Sequence, residues 1–409
     1  MLLFHDVVVA LSRARAALTH SGEPNGVVVL GATGSVGAST LNVIRRHADR
    51  FRPLVLTANR NWRALDKLAD HWSPEYVVLA SRQPPDFAPR WHGEWRFGPH
   101  ALVEAAAHDS ADVIVNAVVG VAGLEATISA VESGKRLALA NKESLVAGGS
   151  LVVEAARRGG GEILPVDSEH SAIHQCLAGT PASNVARITL TASGGALRDR
   201  SGQDLLEATA IEALAHPTWD MGQKVTVDSA TLANKALEVI EAHWLFELEY
   251  DRITAVVHPT SIVHSIVEFR DGSAIAQMSR PSMEIPVLWA LSCPARLDDR
   301  RDALGFDPLT DGPLEFLPIR RDDFPLFGIG VAAGRTGGEL PAAFNAANEV
   351  AAARFLAGDL RFGDLRAVVE GTVERFGSRA PASVADVREI DSRARRAARG
   401  IADSRAKNI

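Results

Sequence analysis

The chain has 409 residues, 46% of them hydrophobic and 23% charged, with 43 Lys plus Arg against 50 Asp plus Glu and a formal net charge of −7. Interspersed charges with an acidic balance argue against a nucleic-acid partner. Two cysteines, Cys176 and Cys293, argue against a disulfide framework or a thiolate zinc site. No run reaches about 18 uncharged apolar residues, so no membrane partner is expected and a reducing, cytoplasmic setting fits.

The first 25 residues lack the basic start of a signal peptide. They read as an extension with a short amphipathic helix ending near Gly22. From Gly26 the chain repeats strand, turn and helix: "VVVLGATGSVGASTLNVIRRH", then the strand "FRPLVLTANRN", then "NWRALDKLADHWSP" and "EYVVLAS". "SRQPPDFAPRWHGEWRFGP" reads as a loop or insertion, its tryptophans more plausibly surface residues than a ligand platform. "ADVIVNAVVGVAGLEATISAVESGKRLALANKESLV" continues as strand, helix, strand, helix. The alternation predicts an α/β fold opening with a Rossmann-like parallel-sheet domain over 26–165. Residues 166–291 mix strands and helices as an α+β domain, with a hairpin in "SIVEFRDGSAIAQM". A polar, proline-containing linker covers 292–318, and a helical domain covers 319–409, its basic tail reading as a solvated helix face.

Between the first strand and helix stand Gly31, Gly34 and Gly37, with Thr33 and Ser35 beside them. Glycines there permit a tight turn and close backbone approach, and the following helix N-terminus suits a pyrophosphate. An NAD site usually carries Asp or Glu at the end of the second strand. Here that strand ends in Asn59, Arg60 and Asn61. A guanidinium would attract a 2′-phosphate, so NADP is preferred.

"LPVDSEHSAIHQ" sets Asp167 and Glu169 around Ser168 where an apolar strand meets a helix. By itself this is most simply a capped helix start; a cation is the alternative. "TVDSATLANKALEVIEAHWLF" reads as a second strand running into Asp228 and Ser229, again followed by a helix. On that helix Asn234 and Lys235 lie four and three residues before Glu238 and share one face. Either an internal Lys235–Glu238 ion pair or an anionic ligand chelated to a hard cation would use that face. His170 and His174 are spaced four apart, but Glu169 precedes the first, so the pattern is not H-E-x-x-H and His174 is not expected to bind metal. Oxygen donors favour Mg²⁺ or Mn²⁺.

The stretches "GATGSVGAST", "LANKESLVAGG", "LPVDSEHSAI", "TASGG", "HPTWDMGQKVTVDSATLANKALEVIEAHWLF", "HPTSIVHSIVEFRDGS" and "NAANEVAAARFL" occur in one order. Through them the chain resembles the 1-deoxy-D-xylulose 5-phosphate reductoisomerase family from about Gly26 to its C-terminus. The resemblance implies an NADPH domain, a central catalytic domain and a helical domain in a homodimer acting on a phosphorylated ketose. It implies Asp167, Glu169 and Glu238 as ligands of one divalent cation. It places Lys142, Ser168, Glu169, Ser193, His216, Trp219, Ser229, Asn234, Lys235, Glu238 and Ser261 around the substrate. Lys142, Glu169 and Glu238 are its catalytic residues. It places Gly31, Thr33, Gly34, Ser35, Val36, Asn59, Arg60, Asn61, Asn141, Glu143 and Gly222 on the cofactor, with a closing flap near 214–223. The chain departs from the family pattern at Asn59, Ala196, Leu197, Ala233, Ala236, Thr260, Ser282 and Met283. None of these is an implied metal or phosphate ligand.

Overall fold

A computed structural model describes residues 23–299 and 304–406; the helix expected before Gly22 lies outside the described residues. The chain divides into two units. The first holds the chain up to Ser144, Val152–Asn184 and the stretch from Ser282. The second holds Leu145–Leu151, Val185–Pro281 and the C-terminal part.

The first unit is built on seven strands: β1 (Asn25–Leu30), β2 (Phe51–Ala58), β3 (Tyr76–Leu79), β4 (Glu94–Phe97), β5 (Val113–Asn116), β6 (Arg136–Leu139) and β7 (Glu162–Pro165). Their order is β4-β3-β2-β1-β5-β6-β7 and every pairing is parallel. Runs such as Val27–Leu30 and Val113–Val115 are buried at nearly every position, which is why they read as continuous apolar stretches rather than alternations. The helix Ser35–Arg46 returns from β1, burying Gly37, Thr40, Leu41, Val43 and Ile44 at helical spacing.

The register places the functional loops. Leu30 pairs with Asn116, Asn116 with Leu139, and Leu139 with Pro165. The carboxyl ends of β1, β5, β6 and β7 are therefore level, and the loops leaving them share one edge. The order also reverses between β1 and β5, the switch point where open α/β sheets take ligands.

The segment 81–99, expected as a loop, contributes β4. Its aromatics are packing residues: Phe87 meets Trp62, Trp95 and Phe97 at centroid distances of 5.5, 4.9 and 5.3 Å. Asp66 accepts from the backbone amides of Arg90 and Trp91 at 3.0 Å, pinning the segment. Proline and exposed polar residues hid a short edge strand. The helix Glu284–Ser292 also packs in this unit, its Val287, Trp289, Ala290 and Leu291 joining the core.

The second unit has a four-stranded sheet, β8 (Val185–Ala192), β9 (Ile253–Val257), β10 (Val263–Phe269) and β11 (Ala274–Met278), ordered β11-β10-β8-β9. β10 and β11 form the expected antiparallel hairpin. β8 and β9 instead run parallel, which the helices between them in sequence allow. The helices Pro325–Thr336, Leu340–Leu356, Asp364–Val373 and Val384–Ala406 complete the unit. Leu340–Leu356 is buried around most of its circumference. Val384–Ala406 buries only the stripe Val387, Ile390, Ala394, Ala398 and Ala402, so most of its arginines form the expected solvated face, while the half-buried Arg395 pairs with Glu349 and Asp391. Among the described residues no helix is long and apolar enough to cross a membrane.

Several departures are packing residues. Ala233 and Ala236 are fully buried, and a Cβ on Gly330 would stand 2.6 Å from that of Ala236. The helices Ala233–Phe246 and Pro325–Thr336 thus approach through small residues on both sides. Leu197 is buried, and the Ser282 hydroxyl accepts from the Glu284 amide at 3.2 Å at a helix start.

Candidate functional site

In the first unit the turn after β1 is fixed by glycine. Gly31 has φ +86°, and a Cβ there would stand 2.7 Å from the Ala117 carbonyl oxygen. A Cβ on Gly37 would stand 2.4 Å from the Gly31 oxygen. Gly34 caps the helix Ser35–Arg46 without a side-chain hydrogen bond, and Gly34 and Ser35 are exposed. Thr33 and Val36 are half-buried on the same turn. This leaves first-turn amides facing outward, the arrangement that receives a phosphate.

At the end of β2, Asn59, Arg60 and Asn61 are all exposed. The Asn61 side chain accepts from the Ala64 amide at 3.1 Å and caps the helix Trp62–Trp72. Arg60 makes no ion pair among the described residues.

After β6, Asn141 is 1% exposed and caps the helix Lys142–Gly159. Its amide donates to the Val118 and Gly120 carbonyls and lies 3.2 Å from Glu143 Oε2. Asn141 therefore shapes the loop after β5. After β7, Asp167 caps the helix Ser168–Cys176 by accepting from the Glu169 amide at 3.2 Å. The helix-start reading of "VDSEH" is thus correct as local structure. The same carboxylate receives Lys142 Nζ at 2.7 Å and lies 3.3 Å from His170 Nδ1. Ser168 Oγ donates to Glu169 Oε2 at 2.6 Å. His174 turns elsewhere, its Nδ1 accepting from Trp289 Nε1 at 2.9 Å.

In the second unit the expected strand before Asp228 is a helix, Gln223–Ala230. Val225, Thr226 and Val227 carry β propensity, but Thr226 Oγ1 donates back to the Gly222 carbonyl at 3.1 Å within the helix. Leu232, at φ +59°, breaks it from the next helix, Ala233–Phe246. On that second helix Asn234 Nδ2 and Lys235 Nζ both donate to the carboxylate of Glu238. Lys235 and Glu238 are almost fully buried, so the pair is no surface ion pair.

The turn after β8 holds Ser193, and His216 Nε2 lies 2.8 Å from its Oγ. His216 Nδ1 accepts from the amides of Thr218 and Trp219 at 3.1 and 2.9 Å. An Nδ1 that accepts leaves the proton on Nε2, which donates to Ser193. Burial, with the Arg198 guanidinium nearby, lowers the His216 pKa and keeps the ring neutral. One imidazole thus ties the Thr218–Trp219 backbone to the Ser193 turn. Trp219 meets His264 edge-on at 6.2 Å, and His264 Nε2 lies 3.0 Å from Ser279 Oγ. Ser261 is buried at φ +55°, a strained conformation for a side-chain-bearing residue. Arg198 Nη1 donates to the Ser193 carbonyl at 3.2 Å. Neither that contact nor the His264–Trp219 contact had a signal in sequence spacing.

Sequence models of 1-deoxy-D-xylulose 5-phosphate reductoisomerase match residues 27–149, and models of its C-terminal domains match 163–246 and 278–397. The 1-deoxy-D-xylulose 5-phosphate reductoisomerase of Geobacillus kaustophilus is 46% identical over 375 residues, covering 90% of this chain and 97% of its own. This chain belongs to the 1-deoxy-D-xylulose 5-phosphate reductoisomerase family. The Ralstonia nicotianae reductoisomerase is 45% identical over 91% of this chain and 96% of its own. The reductoisomerase from Zymomonas mobilis, solved in complex with NADPH, has 39% identity and a TM-score of 0.85 over 93% of this chain and 100% of its own. A reductoisomerase solved with NADPH, fosmidomycin and magnesium has 35% identity and a TM-score of 0.86 over 93% of this chain and 98% of its own. Membership makes the chain an oxidoreductase, and its α/β architecture with a second sheet and C-terminal helices is that of the reductoisomerases.

Proposed function

We propose that the chain converts 1-deoxy-D-xylulose 5-phosphate to 2-C-methyl-D-erythritol 4-phosphate with NADPH and a divalent cation, in non-mevalonate isoprenoid precursor synthesis in the cytoplasm. The observation that carries the reading is the buried face on which Asn234, Lys235 and Glu238 meet, inside a chain matched to reductoisomerases along 90% of its length. Asp167, Glu169 and Glu238 are the proposed cation ligands. The donor set is all oxygen, with no thiolate or imidazole, and fits Mg²⁺ or Mn²⁺. Such a cation, when bound, supplies Lewis-acid polarisation of a carbonyl and adjacent hydroxyl. NADPH, when bound, supplies the hydride.

The protein's own groups bind and orient. Ser193, Ser229, Asn234 and Lys235 are assigned to the substrate and its phosphate, and Ser168 and Ser261 to its polar groups. Lys142 stands beside the proposed cation ligand Asp167 and is assigned to the reacting end, near the nicotinamide. Trp219, carried on a flap that His216 latches, covers substrate and keeps water from the rearranging carbons. The turn Gly31–Val36, Asn59, Arg60, Asn61, Glu143 and Gly222 are assigned to NADPH, with Asn141 contributing through the loop it pins. Loss of NADPH absorbance with 1-deoxy-D-xylulose 5-phosphate, present with Mg²⁺ or Mn²⁺ and abolished by chelation, is the expected result. NADPH binding without consumption would overturn the assignment.

Arg60 is assigned to the 2′-phosphate. Arg60→Glu should raise KM for NADPH by about tenfold or more while leaving NADH nearly unaffected. An unchanged NADPH-to-NADH preference would remove Arg60 from that role.

His216→Ala should unlatch the flap and raise KM for the sugar phosphate by about tenfold. A proton on Nδ1 of the native ring would displace the Thr218 and Trp219 amides. In the native enzyme kcat/KM should therefore fall on the acid side, below the ordinary histidine range, and this limb should be missing in the variant.

The chain is assigned as a homodimer. β11 is a sheet edge without a charged residue, and its Ile275 is 47% exposed. A second copy would cover that edge. Light scattering should give twice the chain mass, and Ile275→Lys should shift it toward monomer; a monomeric native chain would refute the assignment.

A further inference from the structure

We propose that Asp228 and Asn348 form a positioning pair that sets the helix carrying Ser229, and through it the grip on the substrate phosphate. The inference rests on the assignment of Ser193 and Ser229 to that phosphate. Asp228 is 1% exposed and Asn348 2%. Asn348 Nδ2 donates to Asp228 Oδ1 at 2.8 Å, and Lys224 Nζ lies 2.8 Å from Asp228 Oδ2. One buried carboxylate thus joins the first turn of the helix Gln223–Ala230 to the interior of the helix Leu340–Leu356. A carboxylate withdrawn from water is costly unless it is paired, so losing the Asn348 hydrogen bond would leave this buried charge less compensated and displace the helix that bears it.

The short helix that this link holds carries three functional elements. Its cap, Gly222, is the end of the flap, and Thr226 Oγ1 bonds the Gly222 carbonyl. Ser229 follows Asp228 directly. The backbone of Ser229 and Ala230 also supports the Ser193 turn: a Cβ on Gly195, itself at φ +70°, would stand 2.6 Å from the Ser229 carbonyl oxygen. A displacement of this helix therefore moves the flap end, Ser229 and the backing of the Ser193 turn together. Neither Asp228 nor Asn348 needs to touch substrate to act. A shift of about 1 Å in such a framework is enough to change substrate handling strongly.

The test is Asn348→Ala, with Asn348→Ser as a milder replacement should the first fail to fold, in the full-length protein. KM for 1-deoxy-D-xylulose 5-phosphate should rise about tenfold, with KM for NADPH within about twofold of native. Amide exchange should rise in 216–230. Asp228→Ala removes the same hydrogen bond from its other side and should raise the same KM, with the double variant adding little beyond either single one. An unchanged KM for the sugar phosphate, or an equal rise in both KM values, would overturn the positioning role. Should the native chain not consume NADPH with this substrate, the functional assignment fails separately. Exchange with inorganic phosphate then decides the pair: phosphate should protect 223–230 in the native chain and not in Asn348→Ala, and equal protection in both would overturn it.

Discussion

Glu238→Gln is expected to lower kcat by about three orders of magnitude while NADPH affinity stays within about threefold. Glu238 is 1% exposed and receives both Lys235 Nζ and Asn234 Nδ2. Gln keeps the shape and one acceptor oxygen but removes the charge. Two consequences follow together. The proposed cation loses one of three carboxylates, and the buried Lys235 ammonium loses the charge of Glu238. Breaking a buried pair from one side costs about 3–5 kcal/mol, so the midpoint of unfolding should fall as well. The residues assigned to NADPH, Gly222 apart, belong to the other unit, which is why cofactor binding should survive. Turnover, NADPH titration and thermal unfolding on the same preparation separate these effects. Lost NADPH binding in a folded variant would contradict the role given to Glu238, as would turnover near the native level.

The second large effect is on stability in acid. His174 is half-buried and its Nδ1 accepts from the Trp289 indole. Burial, with the Arg136 charge adding to it, lowers its pKa to about 4 from the usual 6.5. The unfolded chain therefore takes the proton first as pH falls. The stabilisation is complete above about pH 6.5, declines through the interval and is gone below about pH 4. Its size is at most about 3 kcal/mol, from the linkage between the two pKa values. His174→Gln retains an acceptor for Trp289 but does not titrate. The difference in urea midpoint between pH 7 and pH 5 should be smaller in the variant than in the native chain. Equal differences would show that His174 is accessible to protons in the folded state.

Much of this was legible in one sequence, for identifiable reasons. Parallel strands buried on both faces announce themselves as apolar runs, and β1, β5 and their glycine turn were read directly. The spacing of Asn234, Lys235 and Glu238 defines a helix face whatever surrounds it, because neighbours three and four apart meet on any helix. Asn141 also shapes the loop after β5, its amide donating to the Val118 and Gly120 carbonyls. That role depends on a loop far away in sequence. β4 was missed because four residues on a sheet edge carry almost no periodic signal.

The two Asp-Ser pairs show where the boundary lies. Both follow apolar residues and both precede a helix. At Asp167 the run before it, Glu162–Pro165, is a strand that pairs with β6, and the carboxylate caps the next helix. At Asp228 the run is itself a helix, and the carboxylate turns inward to Asn348. The sequence by itself determined the family, the parallel sheet, the glycine turn and the helical face bearing Glu238, since these rest on local periodicity and on side-chain chemistry. Only the tertiary structure decided which apolar run was strand and which helix. A run with strand-like composition becomes a strand only where a neighbouring strand completes its hydrogen bonds; β6 does so for Glu162–Pro165, and Gln223–Ala230, for all its Val225-Thr226-Val227, satisfies its backbone within its own helix.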